Sequence, residues 1–112
     1  MRGQSKPDEM LFESDHLQLH GFPWEPAGDG TFPVVVWNHG SEKMPGAPPT
    51  LAQFYTAHSY VLFVPQRRGQ GRSPGSYIQD LIEQTPPPDR AQRMISLQEG
   101  EVNDVIAAID YR

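Results

Sequence analysis

The 112-residue chain has room for one domain and not for two, and its net charge of −5, with nine Lys and Arg that form no long run, argues against nucleic acid as a partner. The absence of Cys removes disulfides, thiolate catalysis and Cys-based zinc sites together. The N-terminal MRGQSKPDEM lacks the apolar centre of a signal peptide, and no apolar run approaches membrane-spanning length, so a cytoplasmic protein with no membrane partner is expected. Twelve Pro and ten Gly promise long loops, though too few for a low-complexity disordered chain.

Residues 1–9 are polar and are expected to be disordered. Residues 10–13 and 17–24 read as a hairpin around Ser14, Asp15 and His16. Leu17 and Leu19 alternate with Gln18 and His20, which suits a half-exposed edge strand; Gly21 marks a bulge, and Pro23 supports the edge position because it has no N–H to give. After the turn cluster EPAGDGT comes VVVW, residues 34–37, an unbroken apolar and mostly β-branched run expected at a sheet's centre. It leads directly into Asn38, His39, Gly40 and Ser41, a polar turn suited to outward-pointing N–H groups. Ligands of open α/β sheets bind beyond the carboxyl ends of the strands, so chemistry is expected at this turn.

Leu51, Phe54, Tyr55 and His58 then recur at helical spacing, with Thr50 as N-cap, and YVLFV at residues 60–64 is a second buried strand. Strand, helix and strand make a βαβ unit. A basic glycine-rich loop, QRRGQGRSPG, follows, then a proline-rich connector at 83–88. Asp89 and Gln92 resemble a capping box at the head of a helix that runs to residue 112, with Gly100 as a kink point or a junction of two helices.

This order of elements resembles the first half of an α/β-hydrolase, nearest the dienelactone-hydrolase-like and prolyl-oligopeptidase-like branch of serine hydrolases. The residues carrying the likeness are WNHGSE at 37–42, RRGQGRSPG at 67–75 and EVNDVIAAIDY at 101–111. The resemblance spans nearly the whole chain and about half of such a fold, so residues 1–112 are expected to form a single, incomplete α/β-hydrolase domain. It implies that the backbone N–H of Ser41, shaped by His39 and Gly40, is one donor of an oxyanion hole, which acyl transfer needs because negative charge develops on the carbonyl oxygen. It also implies that the nucleophile lies on the turn after a strand following residue 112, and that no cofactor is required.

Gly71-Arg72-Ser73-Pro74-Gly75 satisfies G-x-S-x-G, yet Pro74 has no N–H for the second oxyanion donor and pushes Ser73 toward extended backbone, so Ser73 is read as structural. Arg67, Arg68, Gly69, Gly71 and Arg72 form a structural loop whose guanidinium groups pin nearby carbonyls or carboxylates; a phosphate cradle is the weaker reading, since no helix opens and no G-K-[ST] follows. His39 is read as structural, bonding the turn. His16 and His20 share a face of a solvated edge strand without a third metal ligand. Asp80, Glu83 and Asp104 have no partner at catalytic spacing, and Asp104 is expected to be solvated.

The expected function is therefore the N-terminal fragment of a serine-hydrolase-type enzyme acting on an ester, lactone or amide, inactive without its triad. It would meet a small-molecule acyl substrate only with the rest of the domain present. The alternative is a non-catalytic small α/β domain that binds a partner, or itself, through an exposed sheet edge.

Overall fold

The computed structural model of the chain describes residues 7–46 and 49–111. The first hairpin pairs β1, Met10–Ser14, with β2, Leu17–Trp24, around Asp15 and His16. Both turn residues have positive φ (46° and 67°), as the tightest right-twisting hairpin turns require. His16 therefore lies in the turn and does not share a strand face with His20. Of the stretch expected to be disordered, residues 1–6 lie outside the described residues, while Glu9 bonds both His20 and Arg72.

β3, Val34–Val36, runs through α1, Pro49–Ala57, to β4, Val61–Pro65, and the two strands pair in parallel. The sheet order is β1-β2-β4-β3. This reverses one expectation: β4 is the fully buried interior strand, whereas β3 has a neighbour on one side among the described residues and its three valines are half-buried. β2 is likewise not an edge. It pairs with β1 over Leu17 to Gly21 and with β4 over Gly21 to Trp24, so Pro23 lies beyond the end of β1, where one neighbour remains. Gly21 sits in regular register and makes no bulge; the Phe63 ring covers it so closely that a Cβ would come within 2.6 Å of a ring carbon.

Alternation along β4 divides the core between two faces. Phe63 packs with Phe12, Leu19 and Ala108 on one side, while Leu62 and Val64 pack with Trp24 and Ala52 on the other. The first face is covered by α3, Arg90–Tyr111, and the second by α1, so the chain is a helix–sheet–helix sandwich. Within α1 the buried positions are Ala52 and Thr56, and Phe54 points outward at 57% exposure. Thr50 lies inside the helix and Pro49 takes its first position, where a missing N–H costs nothing.

The loop after β4 leads to a short helix not foreseen from sequence, α2, Ile78–Glu83, and then to a tight turn at Pro87–Asp89 that absorbs the expected capping position. α3 continues through Gly100 as one helix. That glycine marks a close approach instead of a kink: a Cβ there would lie 2.9 Å from an Arg68 guanidinium nitrogen.

Candidate functional site

The turn His39-Gly40-Ser41 stands at the carboxyl end of β3, and the side chains around it come from the loop after β4 and from α3. His39 is buried and bonds at both ring nitrogens. Its Nε2 lies 3.1 Å from the backbone N–H of Arg67, which can only donate, so Nε2 is the bare nitrogen and Nδ1–H donates to the Gly40 carbonyl at 2.7 Å. The bond accepted at Nε2 needs the neutral ring. Burial, reinforced by the nearby Arg67 charge against the opposing Gly40 bond, holds the His39 pKa below its ordinary value.

Arg67 forks toward the same turn. One terminal nitrogen donates to the carbonyls of His39 and Gly40, each at 3.0 Å, while Nε donates to Glu101 of α3 at 2.9 Å. Glu101 is pushed up from the ordinary carboxyl range by burial, with the Arg67 charge and hydrogen bond opposing. Gln70, 1% exposed, adds its amide N–H groups to the carbonyls of Gly40 (3.1 Å) and Glu42 (2.9 Å), and the Tyr77 hydroxyl donates to the Ser41 carbonyl. Behind the turn lies a cavity of about 380 Å³ bordered by Ser41, Arg67, Gln70, Ile78, Gln98 and Glu101.

Arg68 works in the opposite direction, tying the loop to the hairpin and to α3. Its backbone N–H and its guanidinium grip both oxygens of Asp104 at 2.8–3.2 Å, and Nη2 also reaches Asp15 at 2.9 Å. The Asp104 bonds foremost raise the Arg68 pKa above its ordinary value, and the Arg68 and Asn103 bonds lower that of Asp15. Asp104 is not solvated: it is 1% exposed and also accepts from Ser14 Oγ at 2.7 Å. Arg72 pairs with Glu9 at 3.0 Å. With each guanidinium committed to a carboxylate, the loop has the form of a tie and not of an anion cradle. The turn of this loop demands glycine at Gly69, whose φ is +74° and where a Cβ would fall 2.2 Å from the Ser76 carbonyl oxygen.

No protein-family model and no curated protein matches the sequence. Solved structures do. An orthorhombic crystal form of Pyrococcus horikoshii acylaminoacyl peptidase superposes with a TM-score of 0.64 at 18% identity, covering 99% of this chain and 16% of that one. An acylaminoacyl peptidase in complex with Z-Gly-Gly-Phe-chloromethyl ketone gives 0.60 at 17% identity, again covering 99% and 16%. The fold matches the N-terminal part of an α/β-hydrolase fold.

Ser41 lies on the loop between β3 and α1. Ser73 does not stand on a strand-to-helix turn. It is buried, its hydroxyl donates to the Gln66 carbonyl at 2.7 Å and accepts the His20 N–H at 2.9 Å, and so it is spent on backbone. Among the described residues no three His, Asp or Glu side chains are grouped to hold a metal ion, and no helix is long and apolar enough to cross a membrane. Asp80 and Glu83 lie exposed on α2. Sequence reasoning missed Gln70, Tyr77 and Glu101 as supports of the turn, and mistook Asp104. The available signal was the helical stripe Gly100, Asp104, Ala108: small residues four apart around an acid mark a face pressed against something cationic.

Proposed function

We propose that the chain is the N-terminal portion of a serine-hydrolase-type enzyme acting on an ester, lactone or amide, of the dienelactone-hydrolase-like or prolyl-oligopeptidase-like kind, and that the backbone N–H of Ser41 is one of its oxyanion donors. The observation that carries the reading is the Gly40–Ser41 peptide. It stands past the carboxyl end of a parallel strand, its carbonyl is occupied by three donors, and among the described residues no acceptor takes the Ser41 N–H. A donor fixed before reaction costs no reorganisation when charge develops on the substrate oxygen. The nucleophile, acid and base of this reading lie outside these residues, so the 112-residue chain alone is inactive and a cytoplasmic acyl substrate is turned over only by a longer polypeptide or an assembly.

Three features favour such a larger unit. The chain spans 16% of the length of each matched structure. Among the described residues β3 leaves one edge open, and α3 turns Ile95, Val102, Ile106 and Ile109 outward at 51–55% exposure. The Trp37 indole N–H and the Gln70 side-chain oxygen are buried without partners among the described residues, each at a cost of about 1–3 kcal/mol unless further groups meet them. The test is the coding sequence past codon 112: a strand followed by G-x-S-x-G within about 20 residues, in a polypeptide that hydrolyses nitrophenyl esters, supports the reading. A stop codon there, with no ester turnover by the native protein, contradicts it.

The open edge of β3 also favours a second reading, a small α/β domain that pairs with a partner or with itself without chemistry. Sedimentation of the purified chain separates the two: a defined, inactive dimer favours assembly.

A further inference from the structure

Resting on the hydrolase reading, we propose that Arg67 and Gln70, with the neutral ring of His39, form a latch on the Gly40 carbonyl that aims the Ser41 N–H, which makes Arg67 and Gln70 positioning residues for the oxyanion donor. The carbonyl of Gly40 and the N–H of Ser41 belong to one peptide plane. No cis peptide occurs among the described residues, so the C=O and N–H bonds of this plane point in opposite directions. Fixing one end fixes the other.

The carbonyl end is gripped from three sides: by His39 Nδ1 at 2.7 Å, by Arg67 at 3.0 Å and by Gln70 Nε2 at 3.1 Å. The Ser41 N–H is thereby directed away from the Arg67 and Gln70 wall. The next carbonyl is held as well, by the Tyr77 hydroxyl, so rotation of the peptide is opposed at both ends. The turn needs this help, because it opens the long connection from β3 to α1, and segments of that kind sample several conformations unless tied.

The choice of residues suits the task. A guanidinium is a planar fork that can meet Glu101 through Nε and bridge two successive carbonyls through a terminal nitrogen; an ammonium group can supply the charge and not the fork. Glu101 in turn anchors Arg67 from α3, so the aim of the donor is referred to the rigid helix. Gln70 spends both amide hydrogens on the turn, to Gly40 and to Glu42, while its own oxygen is left unpaired among the described residues. An amide retained at 1% exposure with half its bonding unmet is placed for what its N–H groups do.

The experiment is backbone relaxation on the full isotope-labelled chain, comparing wild type with Arg67→Lys and Gln70→Ala, with the β4 amides as the check on folding. The Ser41 amide is expected to be rigid in wild type, with an order parameter of about 0.85, and to fall below about 0.6 in each folded variant while the Gly40 carbonyl-carbon resonance moves. Should Arg67→Lys fail to fold, Glu101→Gln keeps the guanidinium, weakens its anchor and is expected to give an intermediate value. A Ser41 amide that keeps its order and a Gly40 resonance that stays in place in the folded variants overturn the proposal. In a polypeptide of this protein that turns over an acyl ester, Arg67→Lys is expected to lower kcat about 10- to 100-fold with KM little changed; a rise in KM alone overturns it. Loss of Ser41 order in a protein that never shows ester turnover keeps the latch and removes the hydrolase reading, so the two failures are distinct.

Discussion

A carboxylate under a helix persists only when its oxygens are paired, and Asp104 meets that condition through Ser14 Oγ, the Arg68 backbone N–H and the Arg68 guanidinium. Removing it strands three donors at once. Asp104→Ala is expected to cost about 3–5 kcal/mol in urea unfolding, the loss seen when one partner of a buried pair is deleted, against less than about 1 kcal/mol for a solvated acid. His39 gives a pH signature. Its folded pKa lies below the ordinary 6.5, so under that pH the unfolded chain binds the extra proton. The His39 contribution is therefore whole above pH 6.5 and is lost as pH falls through the folded value. Glu101, raised from 4.5, has the opposite slope: its contribution is present at low pH and lost as pH rises through its folded value. The stability difference between wild type and His39→Gln isolates the first, and is expected to shrink steadily on acidification below pH 6.5; a constant difference contradicts the neutral-ring assignment.

At the scale of elements, α1 ends in a two-bond cap: Tyr60 N–H to the Tyr55 carbonyl at 2.9 Å and Ser59 N–H to the Thr56 carbonyl at 3.1 Å, with Ser59 at φ 66°. A side chain pays about 1–2 kcal/mol for that conformation, part of which glycine's looser unfolded chain takes back. Ser59→Gly is expected to stabilise the chain by up to about 1 kcal/mol in thermal unfolding. This need was legible in the sequence, where a helical pattern stops one residue before a strand. The ranking of the strands was not. VVVW at 34–37 and YVLFV at 60–64 are both unbroken apolar runs, and a local pattern reports burial without saying which strand has two neighbours. Likewise the apolar residues of α3 at 95, 102, 106 and 109 fall at helical spacing yet lie off the face covered here, which is Gly100, Asp104 and Ala108. The His39-Gly40-Ser41 turn was legible because a buried strand running into polar residues and glycine is a local signal; its supports at 67, 70, 77 and 101 were not, being 26–62 residues distant and joined to it only by folding.

The molecule as a whole measures 55 × 25 × 18 Å with a radius of gyration of 15.7 Å, larger than the roughly 13 Å of a closed domain of this length. Its two small cores lie on opposite faces of a sheet whose β3 edge is open, and the outward stripe of α3 lies unburied along a helix about 33 Å long. On the reading proposed above, these features fit a unit completed by further chain or a partner, while the G-x-S-x-G serine is locked into backbone. The most direct measurement of that account is labelling of the purified 112-residue chain with a fluorophosphonate probe, read by mass spectrometry. The account predicts an unmodified chain, Ser73 included, because its hydroxyl is held between the Gln66 carbonyl and the His20 N–H. Stoichiometric adduct on Ser73 would contradict it.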